Sequence, residues 1–225
     1  MKRREFLGRI GKTGFVVASA LGVANVAHAD ALDRFFSALR IDDADEVQDW
    51  LDRGFDPNSI DERFTPALIF AIREGAEKSA ARLVQAKGLK LEMTNASGET
   101  ALMLACIKGY LDLAYLLLGK GAKVERAGWS PLHYAAAGPN PKIVGLLLEV
   151  RANPNARSPN GTTPLMMAAQ YGQHQSLAIL LKRGADPKLK NDLGLDALAF
   201  AERGARPDAL AILKRLQADE AAETD

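Results

Sequence analysis

SPLHYAAAGPNPKIVGLLLEVRANPNAR, residues 130–157, reads as one helix–turn–helix unit. Ser130 is an N-cap, and Pro131 stands at the first helical position, where a missing N–H costs nothing. Ala135, Ala136 and Ala137 follow, thin enough for a neighbouring helix to lie close. Asn140-Pro141 repeats the cap-and-proline signal and opens a second helix with the apolar core Ile143, Val144, Leu146, Leu147 and Leu148. Ala152-Asn153-Pro154-Asn155 closes the unit as a turn. One such unit cannot bury both of its faces, so its fold depends on whether it recurs.

It recurs. The opening appears again as Pro66-Ala67-Leu68-Ile69, Thr100-Ala101-Leu102-Met103, Thr163-Pro164-Leu165-Met166 and Asp196-Ala197-Leu198-Ala199. The opening leucines, Leu68, Leu102, Leu132, Leu165 and Leu198, are separated by 34, 30, 33 and 33 residues. Matching clusters follow at Leu116-Leu117-Leu118, Leu146-Leu147-Leu148 and Ile179-Leu180-Leu181. Gly54, Gly88, Gly121 and Gly184 end most second helices, as a left-handed C-cap requires. The Ser-Pro-Leu-His-x-Ala-Ala opening and the period near thirty-three resemble the ankyrin repeat. The resemblance implies an all-α ankyrin-repeat solenoid of about six helix–turn–helix units with short hairpin fingers.

The unit boundaries expected are 30–61, 62–95, 96–126, 127–157, 158–190 and 191–217, followed by an acidic, fraying tail at 218–225. In the first unit Asp30 is expected to cap a helix through Arg40 that carries Leu32, Phe35, Phe36 and Leu39 on one face. Val47, Trp50 and Leu51 form the inner face of its second helix. The second unit has a slipped opening, with Pro66 where threonine is usual and an extra residue near Lys87-Gly88. The finger Glu125–Gly128 is three residues short and leaves a notch in the row. Arg151 stands where a helix-ending glycine is expected, at a cost of about 1 kcal/mol.

Residues 1–29 read as an export signal outside the fold. Arg3, Arg4, Phe6 and Leu7 resemble the bacterial twin-arginine pattern, with Gly8 where a lysine is common. An ordinary Sec signal and a retained anchor are the alternatives. The apolar stretch is too short to span a bilayer. Ala27-His28-Ala29 gives a small-x-small cleavage pattern, so the mature chain is expected to start at Asp30, in the periplasm, with no stable membrane anchor.

The net charge is +1, of which residues 1–29 contribute +4 and the remainder −3. Overall charge thus gives no reason to propose a nucleic-acid partner. The one cysteine, Cys106, excludes an internal disulfide and reads as a core residue. His133 holds the histidine of the repeat opening, where the resemblance implies a tie between neighbouring turns. His174 reads as a solvated surface residue. No His/Cys/Asp set has metal-ligand spacing, and no phosphate loop of the Walker type occurs, so neither cofactor nor enzymatic activity is expected. The acidic cluster Asp42-Asp43 and Asp45-Glu46 reads as helix-start chemistry.

The resemblance implies protein binding on a concave side lined by first helices and fingers. The residues two places after each opening leucine, Phe70, Leu104, Tyr134, Met167 and Phe200, point toward that groove in this reading. Ile107, Tyr171 and Trp129 extend them into a ladder of apolar and aromatic anchors. The alternative for the ladder is packing between repeats. The alternatives for the whole chain are a structural spacer or self-assembling array, or a small-ligand site at the notch 125–129 supplied with charge by Arg126 and Arg151.

Overall fold

The computed structural model describes residues 29–224. The signal residues Arg3, Arg4, Phe6, Leu7 and Ala27 lie outside the described residues. Twelve helices form six consecutive pairs: α1 (29–40) with α2 (Ala44–Asp52), α3 (Ala67–Glu74) with α4 (Glu77–Gln85), α5 (Ala101–Lys108) with α6 (Leu111–Gly119), α7 (Pro131–Ala137) with α8 (Pro141–Glu149), α9 (Pro164–Gln170) with α10 (His174–Lys182), and α11 (Ala197–Arg203) with α12 (Pro207–Thr224). First helices from α3 onward pack on the next first helix, and second helices from α2 onward on the next second helix, so two parallel helical layers run along the array. Phe36 of α1 joins the first layer by an edge contact to Phe70 of α3, with ring centroids 5.0 Å apart. Among the described residues no strand forms, and the fingers contribute two isolated antiparallel bridges, Ile60 to Pro66 and Thr94 to Thr100.

Local chemistry starts most helices where the sequence predicts. Thr100, Thr163 and Asp196 accept from backbone N–H groups at the third helical position of α5, α9 and α11, and Asn140 accepts from Lys142 in α8. Asp43 caps α2, and Asp42 reaches into the next unit to accept from the Ser79 N–H of α4 at 2.8 Å. The acidic cluster therefore does serve helix starts. Asp30 does not cap: residue 29 is already helical, so Asp30 lies inside α1.

Leu83, Leu117, Leu147 and Leu180 are fully buried between the layers and repeat the leucine period of the sequence. Small residues let the first helices close in. Ala135 and Ala136 have no exposed surface, and a Cβ added at Gly138 would stand 2.6 Å from the Cys106 carbonyl oxygen. At Gly172 an added Cβ would overlap the Ala136 carbonyl oxygen.

A row of side chains ties each second-helix turn to the next. Asn58 accepts from Lys90 N–H, Glu92 from Lys123 N–H, Glu125 from Asn153 N–H, and Asn155 from Asp186 N–H, at 2.7–2.8 Å. The glycines before these turns, Gly54, Gly88, Gly121 and Gly184, have φ of 87°, 81°, 90° and 87°, and Arg151 adopts the same left-handed conformation at 68°.

The last helix departs from expectation. It runs through Thr224, seven residues past Gln217, instead of fraying into a tail. Alanine and glutamate are strong helix formers, and Arg215 pairs with Asp219 one turn on at 3.8 Å.

Candidate protein-binding face

The finger edge and the first-helix layer hold all eight residues predicted as anchors, at very different depths. Leu104 and Phe200 are buried, so they serve the stack and not the surface. Phe70, Ile107, Met167, Trp129 and Tyr134 are half-buried, and Tyr171, at the C-cap of α9, is exposed. Phe70 packs on Phe36 and lies under the Arg40 guanidinium, 5.5 Å from the ring centroid. The predicted ladder is thus interrupted. First helices of seven or eight residues stack closely through alanines, so a side chain two places past the opening leucine is drawn toward the neighbouring helix.

Tyr134 donates its hydroxyl to Glu99 Oε1 at 3.1 Å, and Asn95 Nδ2 donates to Glu99 Oε2 at 2.7 Å. Glu99 thereby locks the finger 95–99 onto α7. Burial, followed by the Glu99 charge, pushes the Tyr134 hydroxyl up to about 12, so it stays a donor at neutral pH. Beside it the indole of Trp129 meets His133 edge-on, at 5.3 Å between centroids. His133 is fully buried: Nδ1 accepts from Ser130 N–H at 3.2 Å, and Nε2–H donates to the Thr162 carbonyl at 3.0 Å. Burial pushes its pKa down, so it is a neutral tie between units four and five. Cys106 is buried and its thiol is pushed up by desolvation, which suits a core residue. His174 is exposed at the start of α10.

Four fingers are closed by the same bond: Asp61 N–H to Thr65 O, Asn95 to Glu99, Ser158 to Thr162, and Asn191 to Leu195. No bond of this kind closes 125–129 among the described residues, in keeping with the three missing residues. Clefts of about 690, 580 and 610 Å³ lie between the first two units, and none is lined by 125–129.

Two finger residues escaped the sequence reading. Phe64 is 75% exposed and Leu193 74% exposed, at the tips of the fingers that open the second and sixth units. Phe64 has φ 58° and occupies the place that Gly98, Gly128, Gly161 and Gly194 fill in the other fingers. A signal was present: each of these residues lies four places before an opening leucine. A bulky residue in the left-handed region is a genuine outlier, and an exposed aromatic gains nothing from the core.

Comparison with known proteins agrees with this geometry. An ankyrin-repeat family model matches residues 35–127 and 123–191, well over half of the chain. The chain belongs to the ankyrin-repeat family. Ankyrin repeats are protein–protein interaction modules. The structure adds α11 and α12, which lie beyond the family match, as a further ankyrin pair. Protein phosphatase 1 regulatory subunit 27 of Mus musculus is 31% identical over 107 residues, 45% of this chain and 70% of that one. The Neurogenic locus Notch protein of Drosophila melanogaster is 37% identical over 119 residues, 45% of this chain and 4% of that one. Among solved structures, a chain from the complex of the Bd0816 predatory endopeptidase of Bdellovibrio bacteriovorus with immunity protein Bd3460 superposes with a TM-score of 0.68 at 29% identity. That match covers 80% of this chain and 96% of the other.

Proposed function

We propose that this ankyrin array is an exported, non-catalytic module that holds a folded protein partner on its concave side, formed by the fingers and first helices. The observation that carries the reading is the exposure of Phe64, Tyr171 and Leu193, with half-exposed Trp129 between them, on a frame whose own core is already closed. Rigid apolar anchors on a preorganised frame avoid the ordering entropy that weakens flexible binders. The partner class proposed is an exported enzyme that the array inhibits or shields. The supporting likeness is the solved complex of an endopeptidase with an immunity protein, one chain of which is matched over nearly its whole length. Location in the periplasm rests on the twin-arginine-like start and the Ala27-His28-Ala29 pattern.

The test is affinity capture from a periplasmic extract with the chain from Asp30, beside a Trp129→Ala/Tyr171→Ala variant that keeps its helical spectrum. The reading expects a hydrolytic enzyme held by the wild type at defined stoichiometry, its activity reduced, and release by the variant. Equal capture by both proteins would move the site off this face. Dimerisation of the pure chain, abolished by the same substitutions, would favour a self-assembling array.

A further inference from the structure

The near-neutral net charge hides a strong segregation. Residues 30–61 carry ten Asp/Glu against three Lys/Arg, while residues 62–217 carry 13 against 21. Much of the positive excess lies on one edge. The second-helix turns at 87–92, 120–125, 150–155 and 182–188 hold eight Lys/Arg and three Asp/Glu. These turns are neighbours in space, because each is bonded to the next through Glu92, Glu125 and Asn155.

The cations of this row are exposed. Lys87, Lys90, Lys120, Lys123, Arg151 and Lys182 have no ion pair among the described residues, whereas Arg183 reaches Glu149 at 4.0 Å. Glu92 and Glu125 each have a carboxylate oxygen engaged by a backbone N–H of the following turn. A helix dipole accounts for Lys120 and Lys182 at their helix ends, but its effect falls off within the last turn. Lys90 and Lys123 lie beyond it, since α4 ends at Gln85 and α6 at Gly119.

Arg151 is the sharpest observation. It holds a left-handed conformation, φ 68°, that the other four turns assign to glycine. It supplies the fourth turn's only cation, because Val150 and Asn153 stand where the second and third turns have lysines. Backbone strain is thus retained where it keeps the row of charge continuous, and Val150 beside it is 44% exposed.

We propose that this edge, from Lys87 to Lys188, is a contact for the phosphate headgroups of an anionic phospholipid surface. A single-file row of lysines and arginines with an exposed valine beside it suits a charged interface with a shallow apolar layer. The four turns contain no aromatic residue, so they offer no stacking platform for nucleic-acid bases.

The test is sedimentation of the chain from Asp30 with vesicles of equimolar phosphatidylglycerol and phosphatidylcholine, beside pure phosphatidylcholine. The core is closed within the described residues, so this chain keeps the whole array. Binding to the mixed vesicles alone, abolished by raised salt, is expected. Arg151→Gly should melt higher than wild type yet bind the mixed vesicles about fivefold more weakly. Lys87→Glu/Lys90→Glu/Lys120→Glu/Lys123→Glu should remove binding, and Lys78→Glu/Lys108→Glu/Lys142→Glu/Lys214→Glu, off the row, should retain most of it. Absence of vesicle binding, equal loss in both quadruple variants, or equally tight binding of duplex DNA at the same salt would each overturn the proposal.

Discussion

The turns that end the second helices and the fingers that follow them are built by opposite rules. In the turns, Asn58, Glu92, Glu125 and Asn155 each bind the following repeat, and the tie survives even where the third unit is three residues short. In the fingers one hairpin is cut short, and Phe64 and Leu193 project with no apolar surface of their own array to cover them. Regularity in the turns holds the frame. Irregularity in the fingers is where a partner could be told from any other protein, since residues that serve the repeat carry no information about a ligand.

The contrast can be broken first on the frame side. Gly172→Ala, whose new methyl would meet the Ala136 carbonyl, is expected to destabilise by about 3 kcal/mol in urea unfolding. Gly184→Ala has open space and only its left-handed backbone against it, so about 1 kcal/mol is expected there. Asn155→Ala removes bonds to the Gly184 carbonyl and the Asp186 N–H, and should cost about 2 kcal/mol by the same measurement.

The finger side should respond in the other direction. Phe64→Gly relieves the left-handed strain and is expected to raise stability by about 1 kcal/mol while weakening the proposed partner complex. A drop in stability would show that Phe64 belongs to the frame. Smallest is a pH effect at the tie between units four and five. Burial lowers the folded-state pKa of His133 below its ordinary value of 6.5, so the unfolded chain binds the proton more readily. Its contribution is therefore complete above pH 6.5 and is lost as pH falls toward the depressed folded value. His133→Met, the residue that Met103 and Met166 place at the equivalent position, should flatten the loss of stability between pH 7 and 5.

The frame was largely legible in the sequence because its signals are local. Ser130-Pro131, Asn140-Pro141 and the leucine triplets specify helix starts and a buried face within a few residues, and the missing glycine at Arg151 announced a left-handed residue correctly. The depth of Leu104 and Phe200 was not legible, because it depends on how closely the next first helix approaches across its alanines. The extent of α12 turned on helix propensity in a polar stretch that no repeat pattern marks. Phe64 was readable only by aligning the fingers against one another, since nothing in Asp61-Glu62-Arg63-Phe64-Thr65 alone demands a glycine.

The most direct test of the division between frame and recognition edge is photocrosslinking in cells from p-benzoylphenylalanine placed at Phe64, at Tyr171 and at Tyr115, which is exposed on the second-helix layer. The account predicts that one protein forms an adduct from positions 64 and 171 and none from 115. An adduct to that protein from 115, with none from 64 or 171, would contradict it.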